Sequence, residues 1–137
     1  MQKMMLLLTI CLGAGFAACA QKTPPPAAVV AAFNQKFSNI EELKWGKEKN
    51  GDWEAEFEQA EVDMSANFSA DGKWIETETE IKVADLPAPV KAALKGKRVK
   101  EAARIEKADG ATVYEAEVRR KDMIFDANGN LQLEEKD

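Results

Sequence analysis

The heptapeptide Asp52-Trp53-Glu54-Ala55-Glu56-Phe57-Glu58 alternates acidic and apolar residues without a break. A period of two is the pattern of a strand with one face buried and the other wet. Trp53, Ala55 and Phe57 share one side, and Glu54, Glu56 and Glu58 share the other. The pattern returns as Val113-Tyr114-Glu115-Ala116-Glu117-Val118, with Tyr114 lying 61 positions after Trp53 and Val118 lying 61 after Phe57. A chain that repeats a half-buried strand at a fixed interval is expected to consist of two similar halves.

What precedes the first half reads as an export signal. Lys3 supplies a positive start, Met4 to Phe16 is an apolar run, and Ala17-Ala18-Cys19-Ala20 supplies small residues for processing. The run falls short of the roughly 20 apolar residues that a membrane span needs, and it ends in a cleavage-like site. Two processing outcomes fit. Ala18-Cys19-Ala20 is an A-x-A site cut before Gln21, and Phe16-Ala17-Ala18-Cys19 is a lipobox-like site that would make Cys19 the lipidated first residue. The expected organisation is a signal peptide over residues 1–18, or to residue 20, a Pro-rich tether over 19–26, and a domain over 27–137 made of two repeats, 27–82 and 85–135. Pro24-Pro25-Pro26 makes the tether stiff and extended.

Processing removes Cys11, and Cys19 is lipidated or lost, so an internal disulfide is excluded. Loss of Lys3 leaves 18 of the 19 basic residues against 24 acidic ones, a net charge of −6. That balance argues against nucleic acid and against an anionic membrane face.

Within each half the order of elements is the same. Ala27 to Phe37 carries Val29 or Val30, Phe33 and Phe37 at helical spacing, and strands follow at 42–49, 52–58, 62–69 and 74–82. Asn50-Gly51 and Asp71-Gly72 are hairpin signals. The second helix is expected from about Leu86 to Lys95 with Asp85 as its cap, and strands follow at 99–107, 112–120, 122–126 and 131–134. The expected fold is therefore α+β, in two tandem repeats, each one helix packed on an antiparallel β-meander. Leu43, Trp45, Trp53, Phe57, Met64 and Phe68 would pack under the first helix, and Tyr114, Val118, Met123 and Phe125 under the second. The opposite side would carry Glu54, Glu56, Glu58, Asp63, Ser65 and Asn67, with Glu115, Glu117 and Arg119, as a solvated face.

The chemistry is bounded by the absence of histidine. Triads of the Ser-His-Asp or Cys-His kind cannot be built, zinc and copper lack their usual ligands, and no phosphate-binding glycine motif is present. No cofactor is expected. Asp126, Asn128 and Asn130 imitate the start of a calcium loop, but Leu131 stands where that loop requires Gly. Carboxylates could pair for glycoside hydrolysis, yet nothing in the sequence points to the burial that would tune such a pair. Trp74 has two readings. If Ile75, Thr77, Thr79 and Ile81 share a face, Trp74 joins Glu76, Glu78 and Glu80 on the other, where an exposed tryptophan is a binding anchor. Alternatively, it caps the core edge beside the Asp71-Gly72 turn.

Val30-Ala31-Ala32-Phe33, Phe37, Trp45, Trp53-Glu54-Ala55-Glu56-Phe57, Asp71-Gly72-Lys73-Trp74 and the link Asp85-Leu86-Pro87-Ala88-Pro89-Val90 together resemble the PepSY-like, β-lactamase-inhibitor-like family of exported bacterial proteins. The likeness covers nearly all of residues 27–133. It implies two helix-on-sheet repeats and residence in the periplasm, or on an outer-membrane lipid anchor, of a Gram-negative envelope. Inhibitory or protein-binding roles are what it implies for function. The second half is plainer, with Tyr114 for Trp53 and Leu131 for Trp74, so recognition is expected to concentrate in the first half. The function expected is a non-catalytic envelope module that binds, inhibits or escorts a protein or basic peptide. Its candidate face is Trp74, Glu54, Glu56, Glu76 and Glu78, and any membrane contact is made through the Cys19 lipid. The alternatives are a carboxylate-based hydrolase of envelope glycans and a structural envelope lipoprotein without a discrete ligand.

Overall fold

The computed structural model describes residues 23–136. The signal-peptide, Cys19 and most of the tether expectations lie outside them. Helix α1 (Ala27–Lys36) starts directly after Pro26, whose carbonyl accepts bonds from the Val29 and Val30 N–H groups. Strands β1 (Ile40–Lys47), β2 (Trp53–Gln59), β3 (Val62–Phe68) and β4 (Trp74–Ile81) follow, then a 3-10 turn at Val83–Asp85. Helix α2 (Ala88–Ala93) leads into β5 (Val99–Lys107), β6 (Thr112–Val118), β7 (Lys121–Asp126) and β8 (Leu131–Lys136). All eight strands form one antiparallel sheet in sequence order, β1 to β8. The order of one helix and four strands thus occurs twice along the chain.

Register fixes which residues share a face. Trp53, Ala55 and Phe57 on β2 stand opposite Phe68, Ala66 and Met64 on β3, and Ala66 stands opposite Thr77 on β4. Crossing through Thr79–Arg104 and Arg104–Tyr114, the same face reaches Ala102, Ala116, Met123 and Phe125. Both helices pack on this face. Val29 and Phe33 of α1 bury against Trp53, Phe57 and Phe68. Val90 of α2, with Leu86 before the helix and Leu94 at its C-terminal cap, buries against Ala102, Ala116, Met123 and Phe125. Phe33 sits at the centre of an aromatic group, with ring centroids 5.1 Å from Phe37, 5.3 Å from Trp45 and 5.1 Å from Phe57. Edge and tilted contacts of this kind add to the burial of each ring.

Two turns are clamped to the helices. The Gly72 turn lies so close to α1 that a Cβ there would stand 2.6 Å from the Ala28 carbonyl oxygen. At Gly129 it would stand 2.5 Å from that of Pro89 at the start of α2. Both glycines have positive φ, a region that costs a side chain.

Three expectations are corrected. Leu43 is 37% exposed rather than core, because β1 bulges between Glu41 and Lys44 and Glu42 takes a positive φ, which turns Leu43 out of phase. Asp85 does not cap α2: it closes the 3-10 turn, and the helix begins after Pro87 without a side-chain cap. Trp74 does not share the glutamate face. A bulge at Asn67–Phe68 places it opposite Phe68, on the helix side.

Candidate protein-binding face

Among the described residues no helix or strand packs over the other face of the sheet. Alternation on β2, β4 and β6 brings their glutamates there. Glu54 pairs with Asn67 and Asn67 with Glu76, while Glu56 pairs with Ser65 and Ser65 with Glu78. The four expected glutamates, Glu54, Glu56, Glu76 and Glu78, are therefore together on two adjacent rungs. On β5, Ala103 pairs with Glu80 of β4 on one side and Glu115 of β6 on the other, and beyond it Glu117 pairs with Asp122 of β7.

The expectation of a solvated face is wrong at its centre. Glu54 is 7% exposed, Glu78 5% and Glu115 2%. With nothing above them, these side chains are covered only by one another and by their neighbours. The sheet must therefore curl toward this side. Charge coupling gives the same answer. Asp122, three strands from Glu78, is among the charges that raise it, although in a flat sheet three strand spacings would separate them by roughly 14 Å. Bulges in four of the seven strand pairings supply the extra twist.

Burial decides the protonation of the row. It lifts Glu54 from 4.5 to about 7, helped by the Glu48 and Glu56 carboxylates and opposed by a hydrogen bond from Ser65. Burial raises Glu78 and Glu115 further, and the largest charges acting on either are all carboxylates: Glu54, Glu76, Asp122 and Glu80 on Glu78, and Glu78, Asp122, Glu135 and Glu76 on Glu115. Burial also raises Glu56, which is only half-buried, with Lys44 opposing it. At the margin, Glu117 accepts from Lys100 Nζ at 3.3 and 3.4 Å. In the centre Glu78 Oε2, Glu115 Oε2 and Asn67 Oδ1 are buried and have no hydrogen-bond partner among the described residues.

Trp74 sits on the far side of the sheet from this row. Its Nε1–H donates to Thr77 Oγ1 at 2.9 Å, and Lys36 Nζ of α1 lies 3.6 Å from its ring centroid. The core-edge reading of this residue is the one the geometry matches. Glu115 is the residue that sequence reasoning left out of the site. Its signal was present, since β6 repeats the alternation of β2, but position in a strand does not reveal depth. The Asp126 turn uses its carboxylate internally, with Oδ1 accepting from the Asn128 and Asn130 N–H groups, and among the described residues no cluster is placed to hold a metal ion.

A meander of eight strands, helices on one face and a curled acid row on the other define an open-faced α+β sheet protein. The chain belongs to the family described as "Putative beta-lactamase-inhibitor-like, PepSY-like", whose model matches residues 51–133. Solved structures share the fold. A "BLIP-like protein" from Bacteroides fragilis superposes with a TM-score of 0.70 at 22% identity, covering 84% of this chain and 88% of that one. A "putative periplasmic" protein from Bacteroides eggerthii gives a TM-score of 0.74 at 15% identity, covering 82% and 89%. A DUF2874 family protein from Bacteroides ovatus gives 0.72 at 17% identity, covering 82% and 87%. No functionally curated protein matches the sequence.

Proposed function

We propose that this chain is a non-catalytic binding module of the cell envelope and that the acid face opposite the helices is its binding surface. One observation carries the reading. Glu78 and Glu115 are buried with unpaired oxygens on a face that no other element covers among the described residues. Burying an acid without a partner costs stability, and the fold would be served better by an apolar or fully solvated side chain there. Groups held in such an environment concentrate at functional sites. The inhibitor-like family description and the periplasmic assignment of one structural neighbour support the same role and place. Export through the N-terminal segment, with Cys19 as the lipid site if the lipobox is used, would bring the module there.

The test is affinity capture from the native envelope with the wild-type mature chain and with a Glu54→Gln, Glu78→Gln, Glu115→Gln variant. A partner held by the wild type and lost by the variant supports the face. Equal capture by both overturns it.

A second reading has one observation in its favour. Glu54, raised to about 7, shares a strand face with Glu56, whose carboxyl is opposed by Lys44, and two carboxyls in unlike surroundings are how glycosidases divide acid from base. Release of soluble fragments from peptidoglycan by the purified protein, abolished by Glu54→Gln, would favour it over the binding module.

We also infer that the two halves, 27–82 and 85–135, descend from one duplicated unit. Val29 and Val90, and Phe33 and Leu94, are buried at matching helix positions, and Gly72 and Gly129 make the same close approach to their helices.

A further inference from the structure

We propose that Glu78 and Glu115, with Asn67 and Glu54 beside them, form the receptor for a cationic side chain, an arginine or lysine of a basic peptide segment in the partner protein. The inference rests on the acid face being the binding surface and names what that surface recognises.

The unpaired atoms define the ligand. Asn67 Oδ1 is an acceptor, and once Glu78 and Glu115 are ionised their unpaired Oε2 atoms are acceptors too. Their complement is a group rich in donors and without acceptors, which describes a guanidinium with five N–H donors or an ammonium with three. A metal ion is a poorer fit, since it needs several carboxylates within bonding distance of one point and no such group exists among the described residues. A guanidinium can instead bridge acceptors that stand apart.

The surroundings favour a cation as well. Glu78 faces Glu54 from β2, Glu76 and Glu80 from its own strand and Asp122 from β7. Glu115 faces Glu78 and Glu76 from β4, Asp122 from β7 and Glu135 from β8. Between them β5 contributes Ala103, paired with Glu115, and Ile105, paired with Glu78. Their apolar side chains make a floor for the aliphatic stem of lysine or arginine. Among the described residues the cations of this face lie toward its margins: Lys44 acts on Glu56, Lys100 contacts Glu117 and Lys107 pairs with Glu76. Entry requires only side-chain rotation, because Glu80 is exposed, Glu76 is half-buried, and no backbone element closes the row among the described residues.

Proton release follows from the same arrangement. Burial and mutual repulsion hold protons on Glu78 and Glu115 at neutral pH, and an arriving cation stabilises the ionised form and displaces them.

The experiment is calorimetric titration of the wild-type mature chain with hexa-arginine and with hexa-citrulline, its neutral isostere. Phosphate and Tris buffers, which differ in ionisation enthalpy, are compared at pH 7. Hexa-arginine should bind at least tenfold more tightly than hexa-citrulline and release protons, the scale expected of close charge pairs. The double variant Glu78→Gln, Glu115→Gln should lose roughly tenfold or more in affinity and most of the proton release. A control with the same two Glu→Gln changes at exposed positions away from the row, Glu61→Gln in the β2–β3 turn with Glu106→Gln on the helix side, should change affinity by less than about threefold. In the wild type, the carboxyl carbon resonances of Glu78 and Glu115 should move on peptide addition, a readout that needs no variant. Equal loss in the control, or unshifted resonances, would reduce the effect to net charge and overturn the receptor. The envelope capture separates the two levels. A partner whose capture tolerates the Glu78, Glu115 double variant but not the triple variant leaves the binding module standing and removes the receptor. Equal capture by the triple variant removes both.

Discussion

Lys36 Nζ lies 3.6 Å above the ring centroid of Trp74, across the sheet from the glutamates next to Trp74 in sequence. The contact joins the last turn of α1 to the start of β4, and it makes Trp74 a clasp between helix and sheet. Trp74→Ala should therefore lower stability by roughly 2–3 kcal/mol, below the full cost of a completely buried aromatic because the ring is only half-buried. Binding at the acid face should be unchanged. Urea denaturation, with the peptide titration repeated on the folded variant, measures both.

Trp53→Ala should cost more, about 3–5 kcal/mol, because Trp53 is 3% exposed within the α1 cluster. Tyr114, which opens the corresponding stretch of β6, is only partly buried against its cluster, and Tyr114→Ala should cost clearly less. Chemical denaturation of the two variants side by side checks the order.

Gly72→Ala and Gly129→Ala should each destabilise by about 2–4 kcal/mol, since the new methyl meets a helix carbonyl and the φ is positive. Gly110→Ala is the control. It has the same positive φ but open space, so roughly 1 kcal/mol is expected. A similar loss at all three positions in thermal melts would mean that the clamp on the helices contributes nothing.

Glu54 should make the protein less stable as pH rises. Its folded pKa, about 7, lies above its ordinary value of 4.5, so the folded state binds the proton more tightly. The penalty is absent below pH 4.5, grows between 4.5 and 7, and is complete above 7, on the order of 3 kcal/mol. Glu78 and Glu115, also raised, extend the decline to higher pH. Melting temperatures from pH 5 to 9 should fall, and Glu54→Gln should flatten the lower part of the curve. A wild-type profile that rises over this range would contradict the protonated row.

Ala60 and Glu61 both have positive φ in the two-residue turn between β2 and β3. Replacing them with Asn-Gly, the pair that this turn geometry favours, should stabilise the protein by about 1 kcal/mol, read from the denaturation midpoint.

Most of the strands were legible because period-two alternation is a local property. Trp53 to Phe57 needs only its own sequence to declare a buried and an unburied side, and Asn50-Gly51 and Asp71-Gly72 declare their turns through backbone freedom. Histidine-dependent chemistry was likewise closed off by composition. The turns at Ala60-Glu61 and Arg119-Arg120 carry no such signal. Their positive φ values are imposed by the strands on either side, whose pairing outweighs the local strain. The bulges at Glu41–Lys44 and Asn67–Phe68 had the same effect on Leu43 and Trp74, because one extra residue reverses every face assignment beyond it. The depth of the acid row was not a local property at all. Alternation put Glu54, Glu78 and Glu115 on one face, but only the curl of eight paired strands brought carboxylates from β2, β4, β6 and β7 close enough to bury one another and disfavour one another's ionisation.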